Sequence, residues 1–245
     1  MALTTNILSY WKMQGNSDDD VGSNDGADTS ISYGTSYGKI DQGALFSNSS
    51  GSLMKISNSG QFDFDGEAFS ISFWIKPTNW DTGKSYTLID FEDGGWGGWL
   101  LRHERTLTYL SGNNDQQLSD GKPTTGVWTH VVFTSNGTNG KMYYNGSLNY
   151  TQNSLTYNGN STSDYGLGCN TEYASQSYYG SMDEVGIWDR ELTSAEITTL
   201  YNSGDGLQYP FVTTEIKSIN GLAKASIKSR NGLAIASIKS INGLS

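Results

Sequence analysis

The chain has one cysteine, three prolines and two histidines among 245 residues. A lone Cys169 excludes an intrachain disulfide and a thiolate cage, so any metal ion must be held by oxygen ligands. Cys169 itself reads as a small buried hydrophobe. There is no apolar run of roughly 18 residues, so no membrane-spanning helix is expected. The first residues, MALTTNILSYW, lack the charged start and apolar stretch of a signal peptide. An extracellular location is then expected to be reached by another route, such as release on a virus particle. Charged residues make up only 16% of the chain, so its polarity comes from Asn, Ser, Thr and Gly rather than from charge runs of the disordered kind.

Glycine (30), tyrosine (15) and tryptophan (7) are plentiful by contrast, the composition of many short strands joined by polar turns. Residues 211 to 245 hold four Lys, one Arg and one Glu, a net of +4, so the −10 of the whole chain leaves −14 on residues 1 to 210. That part offers no basic stripe for nucleic acid. The basic tail suits an acidic surface, including the body of a neighbouring copy. Five N-x-S/T sequons, at Asn48, Asn136, Asn145, Asn149 and Asn160, reflect Asn, Ser and Thr richness.

Period-2 alternation is clearest in FSISFWIKP, with Phe69, Ile71, Phe73 and Ile75 on one face and Ser70, Ser72, Trp74 and Lys76 on the other. This reads as a half-buried strand closed by Pro77. WTHVVFTSNG reads as a second strand. KMYYNGSL is a third, ending at the hairpin pair Asn145-Gly146. One helix is expected: Thr193 and Glu196 make a capping box, Ile197, Leu200 and Tyr201 share a face, and Gly204 stands where a left-handed cap is wanted.

In this order, FSISFWIKP, WTHVVFTSNGTNGKMYYNGSL and YGSMDEVGIWDRELTSAEITTLYNSG, preceded by ILSYWKMQGNSDDDVGSNDG, resemble the laminin-G-like jelly-roll domains of the concanavalin A-like lectin/glucanase superfamily. The resemblance covers about residues 7 to 204. It implies an all-β fold, a two-sheet antiparallel jelly-roll sandwich with one short C-terminal helix, over residues 1–210. Trp74, Trp128, Val132, Tyr143, Val185 and Ile187 are implied to form or flank its core. Residues 211–245 follow as a separate tail with an 11-residue period, IKSINGLAKAS, IKSRNGLAIAS and IKSINGLS, aligning Ile216, Ile227 and Ile238. Asn-Gly turns would fold it into a small β-meander whose unpaired edges invite other chains, giving a homo-oligomer or a particle component.

The resemblance also implies a possible calcium ion between the acidic N-terminal loop and the MDEV strand, with Asp20, Asn24 and Asp183 as ligands. Calcium takes roughly six to eight oxygens. The alternative is that Asp18 to Asp20 form a solvated acidic turn and Asp183 caps a backbone amide. Glycan binding would use aromatic rings at the loop rim: Trp96 and Trp99 in GGWGGW, Trp80 in NWDTGKSY, and Tyr173 and Tyr178 in EYASQSYY. Packing into the core or an interface is the competing fate for each ring.

No catalytic residue is assigned. The superfamily's hydrolases carry E-x-D-x-x-E on one strand, and no such string occurs. Asp90 and Glu92 share a strand face but read as a solvated strand end. His103 and His130 lack a nucleophile elbow, and His130 reads as a satisfied strand residue. The expected function is a non-enzymatic, lectin-like attachment module on an extracellular or virion surface. The alternative is a structural decoration or fibre subunit of a virus particle.

Overall fold

A computed structural model describes residues 2–47, 51–80, 85–92, 98–103, 107–111, 114–156, 161–171 and 174–211, and four residue pairs of the tail, 218–219, 222–223, 229–230 and 233–234. Residues Met1–Pro210 form one compact unit and Phe211–Ser245 a second.

The first unit is a two-sheet jelly-roll sandwich. Its strands in chain order are β1 (Ile7–Trp11), β2 (Gly26–Thr29), β3 (Ile31–Gly34), β4 (Gly43–Phe46), β5 (Leu53–Ile56), β6 (Ala68–Pro77), β7 (Tyr86–Glu92), β8 (Gly98–His103), β9 (Leu107–Ser111), β10 (Asn114–Gln117), β11 (Thr129–Asn136), β12 (Gly140–Tyr144), β13 (Ser147–Gln152), β14 (Tyr165–Leu167) and β15 (Gly180–Trp188). The one α-helix among the described residues, α1 (Ser194–Tyr201), follows. The eight-stranded sheet runs β13-β12-β11-β6-β15-β4-β3, with β1 also paired to β15, and the seven-stranded sheet runs β10-β9-β8-β7-β14-β5-β2. Every described ladder is antiparallel, so each strand offers alternate side chains to the space between the sheets.

The alternation in FSISFWIKP has the expected consequence, since Phe69, Ile71, Phe73 and Ile75 are all fully buried between the sheets. The strand is not half-buried, however. Ser70, Ser72 and Trp74 on its other face are buried as well, because the chain after β15 folds back over that face. The Ser70 hydroxyl donates to Arg190 O and accepts from Leu192 N–H, each at 2.8 Å. The Trp74 ring lies 5.0 Å from His130 and 5.9 Å from Tyr201 at the end of α1. Val132 and Tyr143 line this same outer layer, Val185 and Ile187 lie in the core, and Trp128 stays partly exposed.

The helix begins as its sequence requires. Thr193 Oγ1 accepts from Glu196 N–H while Glu196 accepts from Thr193 N–H, the reciprocal box that satisfies two orphan donors. Burial works against the Glu196 charge, but bonds from Arg190 and Thr193 outweigh it and hold the carboxyl down to about 2. The left-handed residue that ends α1 is Asn202, at φ 48°, rather than the expected Gly204, which follows at φ 95°. Asn can take this region because its short polar side chain bonds locally, here to Gly206 O at 2.8 Å. Asn145 and Gly146, both at positive φ, close the β12–β13 hairpin with Tyr144 opposite Ser147.

In the second unit, Ser218–Ile219 pairs with Leu222–Ala223, and Ser229–Arg230 with Leu233–Ala234. These are two separate two-stranded ladders among the described residues, eleven positions apart, where the sequence suggested one continuous meander. Ile216, Ile227 and Ile238 lie outside the described residues.

Candidate functional site

The two sheets present very different outer faces. That of the eight-stranded sheet is closed by α1, by residues 189–192 and by the first residues of the chain, where Trp188 Nε1–H reaches Leu3 O at 2.7 Å. On the seven-stranded sheet the covering element is a loop. Ile89 and Phe91 of β7 point into the core, which turns Asp90 and Glu92 outward together, with Thr87 in the same row beyond a bulge. Over them lie residues 168–171 and 174–178, with Tyr178 N–H donating to Gly168 O at 2.7 Å. Short segments of this kind, with their ends together on a sheet, are Ω-loops and commonly carry binding functions.

Several contacts hold the loop down. Asp90 Oδ2 accepts from Thr171 N–H at 2.6 Å and from its hydroxyl at 3.0 Å. Thr87 Oγ1 donates to Gln176 Oε1 at 3.4 Å, and Ser177 joins Thr87 in a short parallel bridge. Gly166 makes the close approach possible, for a Cβ there would stand 2.7 Å from Cys169 O and 3.0 Å from Thr171 Cγ2. Asp90 is therefore fully enclosed, not a solvated strand end. Its sequence neighbours gave no sign of this, because the partner stands 81 residues away. Cys169 is buried inside the loop with its sulfur 3.1 Å from Ser177 Oγ, and burial pushes its thiol up.

The expected rim aromatics divide. Trp80 and Tyr178 are core residues. Trp80 Nε1–H donates to Pro123 O at 2.8 Å, its ring meets Tyr86 and Tyr178, and the Tyr178 hydroxyl donates to Ser181 O at 3.0 Å. Both polar tips find backbone acceptors inside, which makes burial of such large rings favourable and removes them from any sugar-stacking surface. Trp99 stands on β8 opposite Phe91 in register. Trp96 and Tyr173 lie outside the described residues.

The three expected calcium ligands each have partners within the protein. Asp20 is engaged by the Lys12 ammonium at 2.7 Å. Asn24 gives its amide hydrogens to Ser9 Oγ and Gln61 Oε1. Asp183 is buried and accepts the backbone N–H groups of Lys39, Ile40 and Glu184 at 2.7, 2.9 and 3.0 Å, the amide-capping alternative. Among the described residues no three His, Cys, Asp or Glu side chains are grouped to hold a metal ion. The residue that organises the acidic loop is Asp19, whose carboxylate accepts from Ser9 Oγ–H, Tyr10 N–H, Val21 N–H and Asn24 N–H at 2.8 to 3.1 Å.

Beside Asp183, Glu184 bulges out of β15 at φ 54° and accepts from the Tyr10 hydroxyl and Gln208 Nε2–H, each at 2.6 Å. Burial, and then for Asp183 repulsion by Glu184, raises both carboxyls well above their usual range. Burial likewise keeps His130 neutral, its imidazole lowered to about 3. His130 is only half satisfied, with Nε2 2.8 Å from Ser72 Oγ and no hydrogen-bond partner at Nδ1.

Comparison with known proteins places this architecture. Domain 4 of AbnA, a GH43 extracellular arabinanase from Geobacillus stearothermophilus solved with arabinotriose, has a TM-score of 0.64 at 22% identity, over 79% of this chain and 97% of that one. The binding domain of Paraclostridial Mosquitocidal Protein 1 gives 0.65 at 19% identity, over 81% and 52%. In sequence, botulinum neurotoxin type C from Clostridium botulinum C phage is 28% identical over 61% of this chain, which spans only 13% of that toxin. Residues 48–198, more than half of the chain, match the laminin G profile. With its two antiparallel sheets and short closing helix, the chain belongs to the concanavalin A-like lectin/glucanases superfamily.

Proposed function

We propose that this protein is a non-catalytic, lectin-like attachment module that binds cell-surface glycans on the outer side of its seven-stranded sheet. The observation that carries the reading is the Ω-loop that leaves the sheet at Gly168 and returns at Tyr178, pinned through Asp90 on the outer face of the seven-stranded sheet. Trp96 and Tyr173, the ring candidates of the sequence, fall in the stretches that follow β7 and Thr171 in the chain, and rings of this kind suit stacking on sugars. Likeness to a domain solved with arabinotriose and to binding domains of toxins supports the same class. Asp90 spends its carboxylate on Thr171, and the E-x-D-x-x-E string is absent, so binding without hydrolysis is the favoured chemistry. Attachment of this kind belongs on an extracellular or virion surface.

A structural role in an assembly is the second reading, favoured by the tail. Two similar short antiparallel ladders spaced by the 11-residue repeat offer repeated strand edges to other chains, most simply copies of themselves. A glycan array probed with the full chain tests the first reading: saturable binding supports it, and absence of binding to any glycan removes it. Light scattering of the full chain and of a chain ending at Pro210 tests the second, which fails if both are monomers.

A further inference from the structure

We infer that the eight-stranded sheet carries a second glycan contact on its outer face, a two-ring platform of Trp128 and Tyr179 astride Lys76 and Thr78. The inference rests on the lectin-like reading above and adds a site to it. Trp11, Trp74, Trp80 and Trp188 are buried, whereas Trp128 stays half-exposed beside Val127, which is 52% exposed. Thr129 stands opposite Ile75, and Val131 and Phe133 continue its core-facing row, so Trp128 falls in the outward row with His130 and Val132. Across β6, Tyr178 and Met182 face the core, which puts the half-exposed Tyr179 in the outward row with Ser181.

The end of β6 lies between the two ring-bearing segments. Gly126 N–H donates to Pro77 O at 2.7 Å on one side, and Thr78 N–H donates to Tyr179 O at 2.9 Å on the other. β11 and β15 are the neighbours of β6 in the sheet, so their backbones lie about 10 Å apart. Lys76, opposite Ser181, and Thr78 fill the outward row between them. The cover over this sheet bears on Ser70, Trp74 and Trp188, and Lys76 and Thr78 follow beyond it. Lys12, Lys55 and Lys141 are each paired with a carboxylate, while among the described residues none pairs with Lys76. Its ammonium is left to donate to a ligand.

Sugars combine an apolar ring face, which stacks on flat aromatic side chains, with hydroxyls that accept from an ammonium or a Thr hydroxyl. The loop bearing Trp128 is also fixed by Trp80 Nε1–H on Pro123 O at 2.8 Å, so the ring is placed before a ligand arrives and little ordering cost falls on binding. The ligand class is an oligosaccharide long enough to touch both rings.

The test is titration of the full chain with a series of increasing length, from the monosaccharide upward, built on an array-selected glycan. Affinity should rise as the ligand grows to reach both rings. Trp128→Ala and Tyr179→Ala should each lose about tenfold for the longer members, and Trp128→Tyr, which keeps a ring, should retain most of the affinity. A melt of each variant confirms that it is folded, and if Trp128→Ala is not, Tyr179→Ala decides alone. Wild-type affinity in the folded alanine variants overturns the inference and leaves the lectin-like reading in place. No binding of any glycan by the wild type overturns that reading and this inference with it.

Discussion

Asp90 and Thr171 meet through two hydrogen bonds, one from the backbone N–H at 2.6 Å and one from the hydroxyl at 3.0 Å, in an environment that encloses Asp90 completely. This is the contact that seats the Ω-loop on the seven-stranded sheet. Asp90→Ala leaves the Thr171 N–H without its acceptor and should cost about 1.5–3 kcal/mol of stability, the range for bonds to a charged partner. Glycan affinity should fall more than the stability loss explains, because the loop loses its register. A chemical melt together with titration of an array-selected glycan checks both. Unchanged affinity in a destabilised variant would separate the loop from binding.

Trp80 supports the core rather than a sugar. Trp80→Phe removes the bond to Pro123 O and some ring area, so the melting midpoint should drop by the equivalent of about 1–2 kcal/mol. Glycan affinity at a temperature where the variant is folded should stay the same. A selective loss of binding would return Trp80 to the rim.

The fold was legible because its signals are local. Alternation in FSISFWIKP, the Asn145-Gly146 turn and the Thr193–Glu196 box each act within one element, and the structure contains all three. What was hidden depends on chain return. Nothing near Trp74 in sequence announces that Tyr201 will cover it, and nothing near Asp90 announces Thr171. Asp18, Asp19 and Asp20 are chemically identical in the sequence. Only the path of β1 past the loop, presenting Ser9 and the Tyr10 N–H, selects Asp19.

Those adjacent aspartates give a sharp contrast. Asp19→Ala strips four donors of one carboxylate and should cost about 3–5 kcal/mol, while Asp20→Ala removes a partly exposed ion pair with Lys12 and should cost at most about 1 kcal/mol. Calcium and excess chelator should leave the wild-type melting midpoint unmoved. A calcium-dependent rise that disappears in Asp20→Ala would restore a metal at this loop.

The Asp183–Glu184 pair sets a pH dependence. Their folded carboxyls are pushed up to about 9 and about 8, above the unfolded values, so the folded protein holds more protons than the unfolded chain between roughly pH 4 and those values. Stability from this pair is fully present at low pH and is lost as pH rises through about 8 to 9. Glu184→Gln removes one of the two charges and should flatten the fall in melting midpoint from about pH 5 to 9. Parallel slopes for variant and wild type would show that the pair does not titrate there.

The central claim is that the loops over the seven-stranded sheet hold a glycan. Its most direct measurement is isothermal titration of the full chain and of Trp96→Ala with the best array ligand, beside a melt of both proteins. The account predicts that Trp96→Ala melts with wild type and loses roughly tenfold or more in affinity, in keeping with a lost stacking ring. Equal affinity in the two proteins would contradict it.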